Sequence, residues 1–190
     1  MNLNMFKKNL VFLSVVLVFF VSSCKKEVFP KPAGYLSLEY PEADYVHFEN
    51  QCPFEFEMNS DAILKGVKDC QFTITYPKMK ATIYLTHKPV QNNIQNLLRD
   101  AQKLTYEHVI KADDIVEQPF LNSNKKVYGM FYRVNGNAAT NSQFYVTDSV
   151  KNFITGSVYF YAKPNFDSIM PAASYIQNDM QRLMETIEWK

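Results

Sequence analysis

The chain has 190 residues, of which 47% are hydrophobic, 21% charged and 15% aromatic, with 20 Lys+Arg against 19 Asp+Glu. That content is too apolar for a disordered chain, and five Gly and nine Pro are too few for a collagen-like or low-complexity one. A formal charge of +1 offers no general grip on nucleic acid, and the length suits one domain with a short extension.

Lys7 and Lys8 precede an apolar run from Leu10 to Val21, 12 residues long. A membrane-spanning helix needs roughly 20 apolar residues, so the run reads as the hydrophobic part of an export signal. It ends in Val21-Ser22-Ser23-Cys24, which fits a lipobox: an aliphatic residue, two small ones and a cysteine. Small residues let the signal peptidase approach the backbone, and Cys24 Sγ is the atom that takes the diacylglyceryl group. Residues 1–23 are then a lipoprotein signal peptide, and its removal leaves 167 residues with 18 basic and 19 acidic side chains. One acyl chain holds a protein to a membrane marginally, whereas two or three anchor it firmly. Residues 24–34, with Lys25, Lys26, Lys31, Pro30 and Pro32, read as an extended tether. Residues 35–190 then form a single globular domain, large enough to bury a core without metal or partner.

An exported chain meets an oxidising compartment, so the remaining pair, Cys52 and Cys70, predicts a structural disulfide. Closing a loop over their separation of 18 residues stabilises the fold by about 3 kcal/mol. A metal or redox pair would want CxxC spacing and nearby His.

Tyr35 to Pro41 reads as an edge segment that opens the domain. Alternation then predicts strands at about 52–58, 70–76 and 80–87. In the third, Ala81, Ile83 and Leu85 take one face and Thr82, Tyr84 and Thr86 the other. A helix over about 93–111 follows, capped by Asn93, with Ile94, Leu97, Ala101, Leu104, Thr105 and His108 on its apolar stripe. Four more strands, at about 115–120, 126–134, 142–148 and 153–161, are separated by short turn-rich links. Such links suit antiparallel neighbours. A second helix over about 167–187 begins at Asp167 or Ser168 and carries Pro171 in its first turns. It turns Ile176, Met180, Leu183 and Ile187 inward, and Trp189 closes the core. Short-linked strands interrupted by two amphipathic helices predict an α+β fold, an antiparallel sheet with the helices packed on it.

Catalytic motifs are missing from this sequence. His47, His87 and His108 lack metal-site spacing, and Asp113-Asp114 reads as a solvated turn. Gly156-Ser157-Val158 is not a nucleophile elbow, and the glycines are too scattered to cradle phosphate. The expectation is a protein that is not an enzyme and uses no cofactor or metal. Tyrosine is the more informative residue. Twelve Tyr and fifteen Phe include Phe131-Tyr132, Phe144-Tyr145 and Tyr159-Phe160-Tyr161, and along a strand neighbouring rings point to opposite faces. A face left bare by the helices makes a flat amphipathic patch for a protein or glycan, whereas a sheet covered on both faces buries every ring. The uncharged loop from Asn137 to Gln143 lies beside these strands, as a contact loop or a plain hairpin connection. Tyr132, Tyr161, Asn137, Asn141 and Gln143 are thus the candidate partner surface, and a glycan- or small-ligand-binding module is the alternative to protein docking.

Several phrases form a recognisable set. One is Tyr84-Leu85-Thr86 running to Lys88-Pro89-Val90, then Leu98-Arg99-Asp100-Ala101-Gln102-Lys103-Leu104-Thr105-Tyr106-Glu107-His108. Another is Tyr128-Gly129-Met130-Phe131-Tyr132 with Gly136-Asn137-Ala138-Ala139. The third runs from Gly156 through Tyr159-Phe160-Tyr161 to Asn165, with the terminal Met184-Glu185-Thr186-Ile187-Glu188-Trp189. With the lipobox, these phrases resemble the gliding-motility lipoprotein GldD family of Bacteroidota over nearly the whole mature chain. The resemblance implies a role in surface gliding and the associated type IX secretion machinery, with those proteins and the membrane as partners. It carries over no catalytic residue, only Cys24 as the lipid site. The element order is also similar to the PsbP/Mog1-like αβα sandwich, an analogy of fold alone. Surface-displayed lipoproteins of these bacteria often carry acids after the cysteine, whereas Lys25-Lys26-Glu27 is mainly basic, which favours an envelope-anchored, periplasm-facing protein.

Overall fold

Strict alternation of apolar and hydroxyl-bearing residues sets up the main sheet. The computed structural model describes residues 40–107, 112–161 and 166–190; the signal peptide, Cys24, the tether, Tyr35 to Glu39 and His108 lie outside the described residues. Strands β1 (Tyr45–Phe48), β2 (Phe54–Asn59), β3 (Ile63–Lys68), β4 (Gln71–Tyr76) and β5 (Ala81–Pro89) precede helix α1 (Ile94–Tyr106). Strands β6 (Ala112–Asn122), β7 (Val127–Gly136), β8 (Thr140–Thr147) and β9 (Asn152–Phe160) follow, then helix α2 (Phe166–Glu185) and the short β10 (Glu188–Trp189).

Seven strands form one sheet in the order β3-β4-β5-β9-β8-β7-β6, and β1-β2-β10 form a second. Every pairing is antiparallel. Two meanders, β3-β4-β5 and β6 to β9, are therefore zipped together by the long β5–β9 pairing, whose register runs from Ala81↔Phe160 to Pro89↔Asn152. The mixed helices and antiparallel sheets are the α+β class that the strand and helix order predicts.

One face of the large sheet is the core face. Phe72, Ile74, Ile83, Leu85, Ile154 and Val158 point from it into a cluster with Phe54 and Phe56 of β2 and with Ile176, Met180 and Leu183 of α2. Phe54 and Phe56 meet the Phe72 ring edge-on at 5.7 and 5.8 Å. The small sheet and α2 thus cover this face together, and Cys52–Cys70, with Cα atoms 5.7 Å apart, ties the two sheets. Gly156 is required here: a Cβ on it would stand 2.2 Å from Cε1 of Phe144, whose ring lies across the strand. The opposite face carries α1, whose Thr105 hydroxyl donates to Gln143 Oε1 at 3.0 Å.

The seven expected strands and both helices are present; β1, β3 and the two-residue β10 are additional. β3 contains Gly66 at φ +58° and shifts register between Lys65 and Lys68, so a bulge interrupts the alternation that marks a strand. β1 is four residues long with an exposed centre, which leaves almost no pattern to read. Asn93 holds the N-cap position of α1, but its side chain makes no cap hydrogen bond. Its Oδ1 accepts instead from Gln91 N at 2.8 Å, while its carbonyl accepts from Asn96 and Leu97 N–H. Pro171 lies inside α2, further along than its first turn. Trp189 packs on the core from β10, its ring 6.5 Å from that of Phe54 and its Nε1 donating to Lys126 O.

Candidate functional site

The strands decide which of the candidate partner residues reach solvent. Tyr132, Asn141 and Gln143 are interior, at 2, 2 and 3% exposed, and so are not surface residues. Tyr132 and Gln143 point to the face that α1 covers, beneath Ala101, Leu104 and Thr105. Asn141 lies under α2, beside Ala173 and Gln177. Asn137 is exposed in the β7–β8 hairpin, and Tyr161, at 62%, is the exposed aromatic of the five.

Tyr161 belongs to a larger arrangement that no local stretch of sequence displays. On the α1 side of the sheet, β4 presents Gln71, Thr73 and Thr75; β5 presents Thr86, Tyr84 and Thr82 opposite them. β9 continues the rows with Thr155, Ser157 and Tyr159. The Tyr84 ring is 41% exposed and stands edge-on to Tyr159 at 5.7 Å, and its hydroxyl lies 2.7 Å from that of Tyr161. Hydrogen bonds from Thr82 and Tyr84 hold the Tyr161 hydroxyl below the usual phenol range, while its bond to Tyr161 raises that of Tyr84. Between these rings and Leu104 of α1 runs an open groove of about 610 Å³.

At the far edge lies β6, 11 residues long and mostly exposed. It pairs with β7 on one side, and no strand among the described residues pairs with the other. Val116 and Leu121 are 45 and 74% exposed. Asp113, Asp114 and Glu117 make the strand acidic, and Glu117 accepts a hydrogen bond from the Tyr106 hydroxyl of α1.

A third feature is internal. Asp179 of α2 is 3% exposed. Its carboxylate accepts from the Tyr45 hydroxyl at 2.7 Å and Asn59 Nδ2 at 2.8 Å, and the Tyr76 hydroxyl also bonds it. Burial pushes the Asp179 carboxyl above the ordinary aspartate range, against the pull of those three donors. Burial and the neighbouring carboxylate raise the phenols of Tyr45 and Tyr76 in turn. Helix α2 is thereby joined to β1, β2 and β4. Nearby, Arg182 reaches Glu57 Oε2 with Nε at 2.9 Å and Nη2 at 2.6 Å, and lies 5.6 Å from the Tyr45 ring centre. His87 also has a structural position: it stacks on Phe54 and its Nε2 lies 2.9 Å from Asn152 Oδ1. Asn152 Nδ2 donates to Asp148 in turn, which fixes the imidazole proton on Nε2. Among the described residues no group of three or more His, Cys, Asp or Glu could hold a metal ion.

The model of the gliding motility lipoprotein GldD family matches residues 25–189, almost all of the chain that follows Cys24. The chain belongs to the GldD family. Among curated proteins, none matches it. GldD-family membership makes this a lipoprotein of gliding motility, associated with the cell envelope. No helix among the described residues is long and apolar enough to cross a membrane, a finding that does not bear on β-barrels.

Proposed function

We propose that the chain is a non-enzymatic accessory lipoprotein, held to the envelope through acylated Cys24 and the tether over residues 24–34. Its globular domain docks on protein components of the gliding apparatus and of the associated type IX secretion machinery. The observation that carries docking is the outer edge of β6. A long exposed edge strand offers a row of backbone donors and acceptors to which an extended segment of another protein adds as a further strand. Val116 and Leu121 supply apolar contacts there, and Asp113, Asp114 and Glu117 favour a partner segment rich in Lys or Arg. The anchor confines encounters to the membrane plane and raises the effective concentration at the partner, so a modest interface suffices. The basic start of the tether, Lys25-Lys26, supports a body that faces the periplasm. The engagement of His87 with Asn152, which braces a turn, supports the non-enzymatic reading.

The test is a Val116→Lys, Leu121→Lys strain, since inward or edge lysines oppose strand addition. Both positions are exposed, so the lipoprotein accumulates and melts as the parent does. Gliding is lost, together with the adduct formed in cells from a photocrosslinking amino acid at position 118. Normal gliding by a strain with normal lipoprotein levels would overturn edge docking.

A further inference from the structure

The half of the large sheet beside α1, where Thr82 and Ser157 are buried and Gln71 and Tyr84 are exposed, has a chemistry of its own. Three cross-strand rows run over β4, β5 and β9: Thr75–Thr82–Tyr159, Thr73–Tyr84–Ser157 and Gln71–Thr86–Thr155. Eight of these nine residues carry a hydroxyl, and the ninth is an amide; none is charged and none is aliphatic. The same strands are wholly conventional on their other side, where Ile74, Ile83 and Val158 enter the core. Strand propensity favours Thr and Tyr over Lys or Glu on such a face, but by itself it does not exclude charge from all nine positions. Neutrality over the nine positions, shared by the neighbouring β4 and β5 and by the distant β9, is therefore a property of this grid.

We propose that this face and its groove bind a neutral sugar chain. Same-face residues recur every ~6.8 Å along a strand and every ~4.8 Å across strands, so the grid covers about 14 by 10 Å. That is an area on which several sugar rings lie flat. A sugar ring has C–H groups on its faces and hydroxyls around its rim. Tyr84, Tyr159 and Tyr161 provide ring faces for the first; Thr73, Thr86 and Thr155 provide donor–acceptor hydroxyls for the second. The hydrogen bond between Tyr84 and Tyr161, at 2.7 Å, holds both rings in place before a ligand arrives, which lowers the ordering entropy of binding. Among the described residues no charged side chain lines the groove, which favours a neutral ligand over a phosphate, a uronic acid or a basic peptide; the nearest charges on this face, Lys65 opposite Thr73 and Lys88 beyond Thr86, stand at the border of the grid. A protein partner is the poorer fit, because the described lining offers one aliphatic side chain, Leu104, and no charged group, so it lacks the apolar core and charged anchors of a protein interface. This inference does not depend on β6, which lies three strands away across the sheet.

The experiment uses the full lipidated protein in lauryldimethylamine oxide, a detergent without a sugar headgroup, and fluorescein-labelled cellohexaose and chitohexaose. Fluorescence polarisation is expected to show saturable binding of at least one hexasaccharide with a Kd of about 1 mM or below. Tyr84→Ala with Tyr161→Ala weakens it about tenfold or more, as does Thr73→Val with Thr86→Val by about threefold or more. All four side chains reach solvent, so the melting temperature serves as a check that these variants fold. Val116→Lys with Leu121→Lys leaves sugar binding unchanged, which separates this inference from edge docking. Absence of saturable binding, equal binding by the tyrosine variant, or equal binding of an oligogalacturonate hexamer overturns the inference. So does a protein adduct formed in cells from a photocrosslinker at position 73 when neither hexasaccharide binds.

Discussion

Asp179 makes the sharpest test of how this body is held together. Replacing it by Ala removes the acceptor shared by Tyr45, Asn59 and Tyr76. Asn59 and Tyr76 are 2 and 4% exposed, so their donors lose a partner that water cannot replace. An orphaned buried donor costs about 1–3 kcal/mol, and the relief of no longer burying a carboxylate offsets part of that. The net expectation is a loss of about 2–4 kcal/mol. For a domain of this size that is a fall in Tm of roughly 4–16 °C, read by circular dichroism. Asp179→Asn keeps the shape and one acceptor oxygen, so its melt at neutral pH stays closer to the parent. What it changes is the pH dependence. The folded state raises the Asp179 pKa above its unfolded value of 3.8, so the folded chain binds this proton more tightly than the unfolded chain. Stability from that site is fully present below pH 3.8 and is lost as pH rises through the folded value. The difference in stability between the parent and Asp179→Asn is therefore expected to fall across that window and to be flat above it. An Ala variant that melts with the parent, or identical pH profiles for parent and Asn variant, would refute the account.

Three further outcomes follow from the same geometry. Removing the Cys52–Cys70 bond in a Ser double variant lowers stability by about 3 kcal/mol, and a melt that is insensitive to reductant in the parent would contradict the structure. Gly156→Val places a Cβ 2.2 Å from Phe144 Cε1, so the ring is displaced and stability falls by about 1–3 kcal/mol; an unchanged urea midpoint would show the site to be looser than described. Cys24→Ala behind a cleavable signal for soluble export gives a gliding defect that overexpression partly rescues, since a higher bulk concentration replaces confinement at the membrane. Complete failure of rescue at high expression would argue that the lipid does more than concentrate the domain.

Much of the fold is legible because alternation survives in nearly every strand. Ala81-Thr82-Ile83-Tyr84-Leu85-Thr86 separates core from outer face at sight, and β5 keeps that division. Parity along a strand, however, says which residues share a face and not which face a helix will cover. Tyr132 and Gln143 read as exposed for that reason, and α1 buries them. The hydroxyl grid is hidden by distance along the chain: Thr82 and Tyr159 become neighbours only when β9 returns to β5. β3 was obscured by the bulge at Gly66, where two residues break the period of two. The Asp179 site did leave a trace. An acid falls on the apolar stripe of α2, three residues after Ile176 and four before Leu183, where only a carboxylate with dedicated donors is stable. Its partners Tyr45 and Asn59 lie 134 and 120 residues away, so the trace could point to a site without naming who fills it.

The two outward surfaces are compatible with one another and with the anchor. The strand order places β6 three strands from β9, which at ~4.8 Å per strand is about 14 Å from the nearest row of the grid. A protein segment added at β6 extends the sheet outward, in its own plane, whereas a sugar chain on β4, β5 and β9 lies on top of that plane. Neither occupant takes the other's place. Cys24 and Tyr40 are 16 residues apart, and a fully extended chain of that length spans at most about 55 Å. On the proposed function, a body on such a leash would reach a layer of the envelope whose depth the tether sets, with room for a glycan on one face and a protein at its edge. On this arrangement shortening the tether is expected to cost function by geometry, since among the described residues the cluster around Phe54, Phe72 and Ile176 is built mainly from strands and α2.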